Sequence, residues 1–237
     1  MISENLKILK NQIAEICYKI SRNPAEVNLI AVSKTKPVSD ILDAIKAGQF
    51  DFGENYIQEA TEKFAELQKI NAKFNLHFIG NLQSNKVKYL TNFCYLFHSL
   101  DRISLAKELN KRLVFENKNL DCLLQINSSN EESKSGCKPE EAIELLKIIS
   151  NEFQNIKIKG VMTIAENSEN PEQIRDNFKL TKEIFEKAKS QNFHNIDMQE
   201  ISMGMSGDYK IAIEEGATLL RIGSAIFGVR NSKNSIS

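Results

Sequence analysis

Asn28-Leu29-Ile30-Ala31-Val32-Ser33-Lys34-Thr35-Lys36-Pro37 reads as a short buried strand that ends in two lysines and a proline. The apolar run holding Ile and Val is the pattern of a strand covered on both faces, and we place the strand over residues 27–34. Pro37 has no N–H to donate and cannot extend a ladder. Ser39, Ile41, Leu42 and Ile45 follow at helical spacing, with Ser39 as the N-cap and Gly48 as the stop. One strand and one helix make a unit, and that unit recurs to the end of the chain.

The later strands are placed at 50–54, 75–80, 95–100, 121–127, 156–164, 200–203 and 218–222. The helices between and after them fall at 56–70, 84–91, 102–114, 139–153, 171–190, 208–215 and from Ala225 onward. Ahead of the first unit, Leu6, Leu9, Ile13, Ile16, Cys17 and Ile20 share one helical face, and Ser21-Arg22-Asn23-Pro24 stops that helix. Alternating strands and helices require a parallel sheet with crossover helices. Eight units within 237 residues lie near the roughly 250 residues typical of a closed barrel. The expectation is therefore an α/β fold, a single (β/α)8 TIM barrel over residues 1–237 with an extra N-terminal helix. A doubly wound open sheet is the alternative.

Composition narrows the function. The 31 Lys and Arg balance the 31 Asp and Glu, so no global basic field draws nucleic acid. No apolar run has the length of a membrane span, and the first residues lack the layout of a signal peptide, which predicts a cytoplasmic protein. Cys17, Cys94, Cys122 and Cys137 form no C-x-x-C pair, and His77, His98 and His194 are scattered. Neither a His/Cys metal site nor a Ser-His-Asp triad has support. Cys17, Cys94 and Cys122 lie in apolar surroundings and read as inert core thiols.

A barrel places functional groups at the C-terminal ends of its strands. Lys34 falls at such an end, where desolvation and a second cation such as Lys36 lower a lysine pKa and prepare a neutral amine for an aldehyde. The competing reading leaves both lysines at the solvated end of a strand. Ser202-Met203-Gly204-Met205-Ser206-Gly207-Asp208 and Arg221-Ile222-Gly223-Ser224-Ala225 follow strands seven and eight. Their glycines admit close backbone approach and their serines add donors, which together suit a phosphate. Arg221, flanked by Leu219, Leu220 and Ile222, is either one half of an ion pair with Glu54 or Glu200, or a donor aimed at a ligand. Asn55 stands at a strand end, or else caps the second helix. His77 lies early in its strand and reads as a structural histidine. Lys134 reads as part of a solvated loop within reach of an anion at the barrel mouth. An amine on strand one and a phosphate cradle on strands seven and eight define a ligand with an aldehyde and a phosphate. Pyridoxal 5′-phosphate (PLP) fits, and a sugar phosphate handled by an aldolase fits less well.

The sequence also resembles a known family, the pyridoxal phosphate homeostasis proteins, which are single barrels similar to the N-terminal domain of alanine racemase. The resemblance rests on residues 31–37, 52–59, 77–80, 82–86, 133–136, 160–164, 202–208 and 221–228, in order along nearly the whole chain. Asn81 and Val161 depart from the pattern without touching cofactor positions. The resemblance implies that Lys34 forms the internal aldimine with PLP and that Ser206, Gly223 and Ser224 hold its phosphate. It further implies that Arg221 faces the pyridine nitrogen and that Asn55 and Met203 line the ring pocket. An arginine there disfavours protonating the ring, so the cofactor is a weaker electron sink. With the chain ending at Ser237, no length remains for the second domain of a racemase. The implied role is PLP storage, buffering or delivery by a monomer without efficient turnover, with apo PLP enzymes as recipients. An amino-acid racemase is the alternative.

Overall fold

The computed structural model describes residues 1–131 and 133–228. Helix α1 (Ile2–Lys19) precedes eight strands: β1 (Asn28–Val32), β2 (Asp51–Glu54), β3 (Asn75–Phe78), β4 (Cys94–Leu100), β5 (Leu120–Ile126), β6 (Ile156–Thr163), β7 (Ile196–Ser202) and β8 (Leu219–Ile222). The helices between and after them are α2 (Val38–Lys46), α3 (Ile57–Lys69), α4 (Val87–Leu90), α5 (Ile103–Glu116), α6 (Ala142–Glu152), α7 (Pro171–Lys189), α8 (Tyr209–Glu214) and α9 (Ser224–Phe227). The strands close in chain order into a barrel, and every pairing is parallel. Closure is made by β1 on β8, where Ile30 lies beside Arg221 and Ala31 beside Ile222. The closed barrel is the expected fold, and the open sheet is excluded.

Strand alternation sorts the core into two layers. Ile30, Leu96, Leu123, Met162 and Leu219 meet in one buried cluster, the inward set. Residues of opposite parity, such as Ala31, Phe52, Phe78, Phe97 and Leu220, join the larger cluster shared with the helices. The leading helix α1 buries Leu6, Leu9, Ile13 and Cys17 and packs on α2, α8 and α9. Its Asn5 Nδ2 donates to the Ile226 carbonyl at 2.9 Å, and the Tyr209 hydroxyl donates to Gln12 Oε1 at 3.1 Å. It thereby braces the two helices that follow the last two strands.

Three local readings need correction. Pro37, not Ser39, is the N-cap of α2, and it makes no side-chain cap bond. The proline has already set the extended entry, so Ser39 falls inside the first turn. Tyr56, not Asn55, occupies the N-cap of α3. Strand β7 starts at Ile196 rather than at residue 200, because its first half carries Asp197 and Gln199 and shows no apolar run. Gly48, at φ +78°, does follow α2 as a stop.

Burial raises the Cys17 and Cys122 thiols above their ordinary range, in keeping with inert core residues. Among the described residues there is no group of three or more His, Cys, Asp or Glu that could hold a metal ion. Nor is any helix among them long and apolar enough to cross a membrane.

Candidate functional site

A cleft of about 350 Å3 opens at the C-terminal mouth of the barrel, and Lys34, Asn55, Ser206, Arg221, Gly223 and Ser224 all line it. Each reaches it for a local reason. Lys34 follows the last residue of β1 closely, and the loop carrying it is held from both sides. On one side the Lys63 ammonium, on α3, donates to the Ser33 carbonyl at 2.6 Å, while the Ser33 hydroxyl donates to Glu54 Oε1 at 2.7 Å. On the other side the Thr35 N–H donates to Glu59 Oε1 at 2.5 Å. Lys63 joins the two carboxylates, donating to Glu54 at 2.6 Å and Glu59 at 2.7 Å. Thr35 has φ +64°, a left-handed conformation costly for a β-branched residue. The buried ion network offsets that strain and fixes the chain on either side of Lys34. Lys36 lines the same cleft, and its ammonium donates to the Phe227 carbonyl at 2.9 Å, tying this loop to the end of α9.

The loops after β7 and β8 meet at their serines. The Ser224 hydroxyl donates to Ser206 Oγ at 3.0 Å. Asp208 Oδ1 accepts from the Met205 N–H at 2.5 Å and so shapes the first loop. Gly204 has φ +92°, and a Cβ there would come within 2.6 Å of Ala212 Cβ. That turn reverses which side chains face inward, and it corrects one expectation. Met203 is fully buried in the cluster between barrel and helices and does not line the cleft, whereas Met205 does. At Gly223 a Cβ would lie 3.1 Å from the Val32 carbonyl, so only a bare backbone fits there without displacing the strand.

Arg221 points into the barrel and is 4% exposed. Its guanidinium donates from Nη1 to Ser202 Oγ and from Nη2 to the Thr163 carbonyl, both at 2.7 Å. No ion pair with Glu54 or Glu200 forms. Glu54 is engaged by Lys63, and Glu200 accepts from the Thr218 hydroxyl at 2.5 Å. Burial pushes the guanidinium down to about 10, with the Asp208 charge opposing, so it remains cationic at neutral pH. Among the described residues this buried cation has no carboxylate within ion-pair distance. Asn55 contributes an amide whose Oδ1 is buried with no hydrogen-bond partner among the described residues. Gly80 lets its backbone in, since a Cβ there would lie 2.1 Å from the Asn55 carbonyl oxygen. His77 is a satisfied interior residue, as its position early in the strand suggested. Lys134 is held by Glu131 at 2.5 Å and the Ala165 carbonyl at 3.0 Å.

Sequence reasoning missed Lys63, the residue that ties the amine-bearing loop to α3. A signal existed: it falls on the same helical face as Ile57, Ala60 and Leu67, all buried. A lysine on an apolar stripe is buried only when paired.

An amine, a buried guanidinium, a serine pair at a tight glycine turn and an unmatched amide oxygen share one cleft. These groups suit an anion that also carries a carbonyl and a hydroxyl. The closed parallel barrel and the family model described as "Alanine racemase, N-terminal domain", which matches residues 5–231, place the chain in the class of barrels built like that domain. The chain belongs to the pyridoxal phosphate homeostasis protein family. The relative of that name from Haemophilus influenzae is 41% identical over 234 residues, covering 99% of this chain and 98% of its own. The one from Aquifex aeolicus is 39% identical, with 96% and 97% covered. Among solved structures, PipY of Synechococcus elongatus with PLP bound superposes with a TM-score of 0.82 at 32% identity, over 96% of this chain and all of PipY. Alanine racemase from Corynebacterium glutamicum shares the fold, with a TM-score of 0.70 at 14% identity over 98% of this chain and 61% of its own.

Proposed function

We propose that this chain binds pyridoxal 5′-phosphate in the cleft and serves PLP homeostasis by holding the cofactor for storage, buffering or delivery, without efficient turnover. The observation that carries the reading is the meeting of Lys34, Arg221 and the Ser206–Ser224 pair on one cleft wall. When bound, PLP supplies an aldehyde that condenses with a primary amine, releasing water. Lys34 is the residue that provides that amine. Ser206, Ser224 and the backbone at Gly223 would hold the phosphate, Arg221 would donate toward the ring nitrogen, and Asn55 would line the ring pocket. A guanidinium at that nitrogen keeps it unprotonated and limits electron withdrawal. The ionisable side chains on the described wall are Lys34, Lys36 and Arg221. Racemisation needs a second acid/base group beside the amine.

Protein given PLP and freed of unbound cofactor by desalting should stay yellow, and borohydride should fix the cofactor mass on the peptide holding Lys34. Protein that takes up no cofactor overturns the reading. Loss of chirality in an added amino acid at about one turnover per second or faster would favour the racemase alternative.

The serine pair makes a separate prediction. Ser206→Ala/Ser224→Ala removes two hydroxyls whose bonds to a charged phosphate are worth roughly 1.5–3 kcal/mol each. PLP affinity should fall at least tenfold, while pyridoxal, which lacks the phosphate, should bind the variant and the parent equally. Spectrophotometric titration with both compounds checks this. Equal losses for the two would place the phosphate elsewhere.

A further inference from the structure

Five polar side chains form one hydrogen-bonded line through the interior of the barrel. Arg221 Nη1 meets Ser202 Oγ at 2.7 Å, and Ser202 Oγ meets His98 Nδ1 at 2.9 Å. His98 Nε2 meets His77 Nδ1 at 3.0 Å, and His77 Nε2 meets Asp51 Oδ1 at 3.1 Å. Arg221 lines the cofactor cleft. Asp51 and His77 line a second cavity, of about 410 Å3, which also takes in Asn28 and Asn75 at the starts of β1 and β3. The line therefore joins the two ends of the barrel. His98 and Ser202 are fully buried between them.

The ends fix the direction of the outer links, and with a neutral His77 the inner links follow. A guanidinium only donates and a carboxylate only accepts. Burial alone would raise the Asp51 carboxyl, but bonds from His77 and Asn75 outweigh it and hold the group below its ordinary range, so it is ionised. His77 must then donate from Nε2, which leaves its Nδ1 to accept from His98 Nε2–H. His98 Nδ1 in turn accepts from the Ser202 hydroxyl, whose lone pairs face Arg221. Reversing the inner links requires a proton on His77 as well. Burial, His77 and Arg221 hold His98 well below its ordinary value, so no second cation lies beside Arg221.

We infer that Ser202, His98, His77 and Asp51 are positioning residues for Arg221, a polarised line whose every proton points away from the cofactor cleft. The inference deepens the proposed function and rests on it for its meaning. Its consequence is that the donor offered to the cofactor ring is set from the opposite face of the barrel. Links of this kind reinforce one another in a low-dielectric interior. The charged and titratable groups around the two imidazoles are Asp51 on β2, Tyr95 against the His77 ring, Arg221 on β8, and Asp121, Lys159 and Glu200 on the wall of the second cavity.

Two measurements test this. Nitrogen-15 NMR of the protein alone at neutral pH should show both His77 and His98 as neutral rings protonated at Nε2. A ring protonated at Nδ1 overturns the direction whether or not PLP binds. In protein loaded with PLP, Asp51→Leu should scramble the histidine tautomers, shift the absorption band of the bound cofactor and its pH profile, and weaken affinity roughly fivefold. Asp51→Asn, which keeps an acceptor, should restore the parent spectrum. If Asp51→Leu does not fold, Ser202→Ala breaks the line nearer Arg221 and should give the same shifts. A folded variant with an unchanged spectrum, pH profile and affinity overturns the inference. Wild-type protein that takes up no PLP instead defeats the proposed function and leaves the tautomer test to stand alone.

Discussion

Lys34→Ala protein should remain folded, lack the long-wavelength absorption band of lysine-bound PLP, and show no added mass after borohydride. Lys34 belongs to neither buried cluster, so its removal opens no cavity in the core. The loop around it is held through Ser33 and Thr35, whose bonds to Lys63, Glu54 and Glu59 do not pass through the Lys34 side chain. Non-covalent binding should survive through the serine pair and Arg221, weakened at least roughly tenfold by loss of the covalent bond. Lys36 is the natural rescuer because it lines the same cleft, but its ammonium already bridges to the end of α9. Lys36→Ala should accordingly keep the colour. If Lys36→Ala abolishes the borohydride adduct and Lys34→Ala does not, the two lysines have exchanged roles and the assignment of the amine fails.

How much of this could be read beforehand depends on where each residue lies in its element. Strands of a parallel barrel are buried on both faces, so β1 and β5 stood out as apolar runs between polar turns, and β6 by its Ile, Val and Met residues despite Lys157 and Lys159. β7 was found only in its second half, because Asp197 and Gln199 interrupt its apolar pattern near the lower mouth. Residues on the cleft were legible because barrels expose strand ends, and Lys34, Ser206 and Ser224 sit just past theirs. Met203 was misplaced because strict alternation breaks at Gly204, whose positive φ swings Met205 to the cleft instead. The interior line was not legible at all. His77 and His98 are 21 positions apart, and only the pairing of β3 with β4, which puts His77 beside Leu96, brings the two rings together. Lys63 belongs to a helix, where a charged residue usually faces water, and only the burial of its neighbours reveals its direction.

Lys63→Met should cost about 3–5 kcal/mol of unfolding free energy at neutral pH, the usual penalty for breaking a buried pair, and the deficit should shrink in acid. The Lys63 side chain is 7% exposed and that of Glu54 is 0% exposed, so water cannot replace the lost partner. Burial raises the Glu54 carboxyl above its ordinary range, and the Lys63 charge is the largest influence opposing that rise. Removing Lys63 leaves burial dominant, so the folded-state pKa climbs further. A carboxyl whose pKa is higher folded than unfolded favours the fold only below its unfolded pKa. It works against the fold as pH rises through the folded value. Urea unfolding at about pH 5 and about pH 8 should therefore show the larger deficit at the higher pH. Equal deficits, or a larger one in acid, would mean that Glu54 is not the group left uncompensated. The same substitution frees the Ser33 carbonyl and loosens Glu59 from Thr35, the two neighbours that hold the Lys34 loop. PLP uptake should slow and weaken even under conditions where the variant is fully folded, because the amine is then no longer presented by a fixed chain.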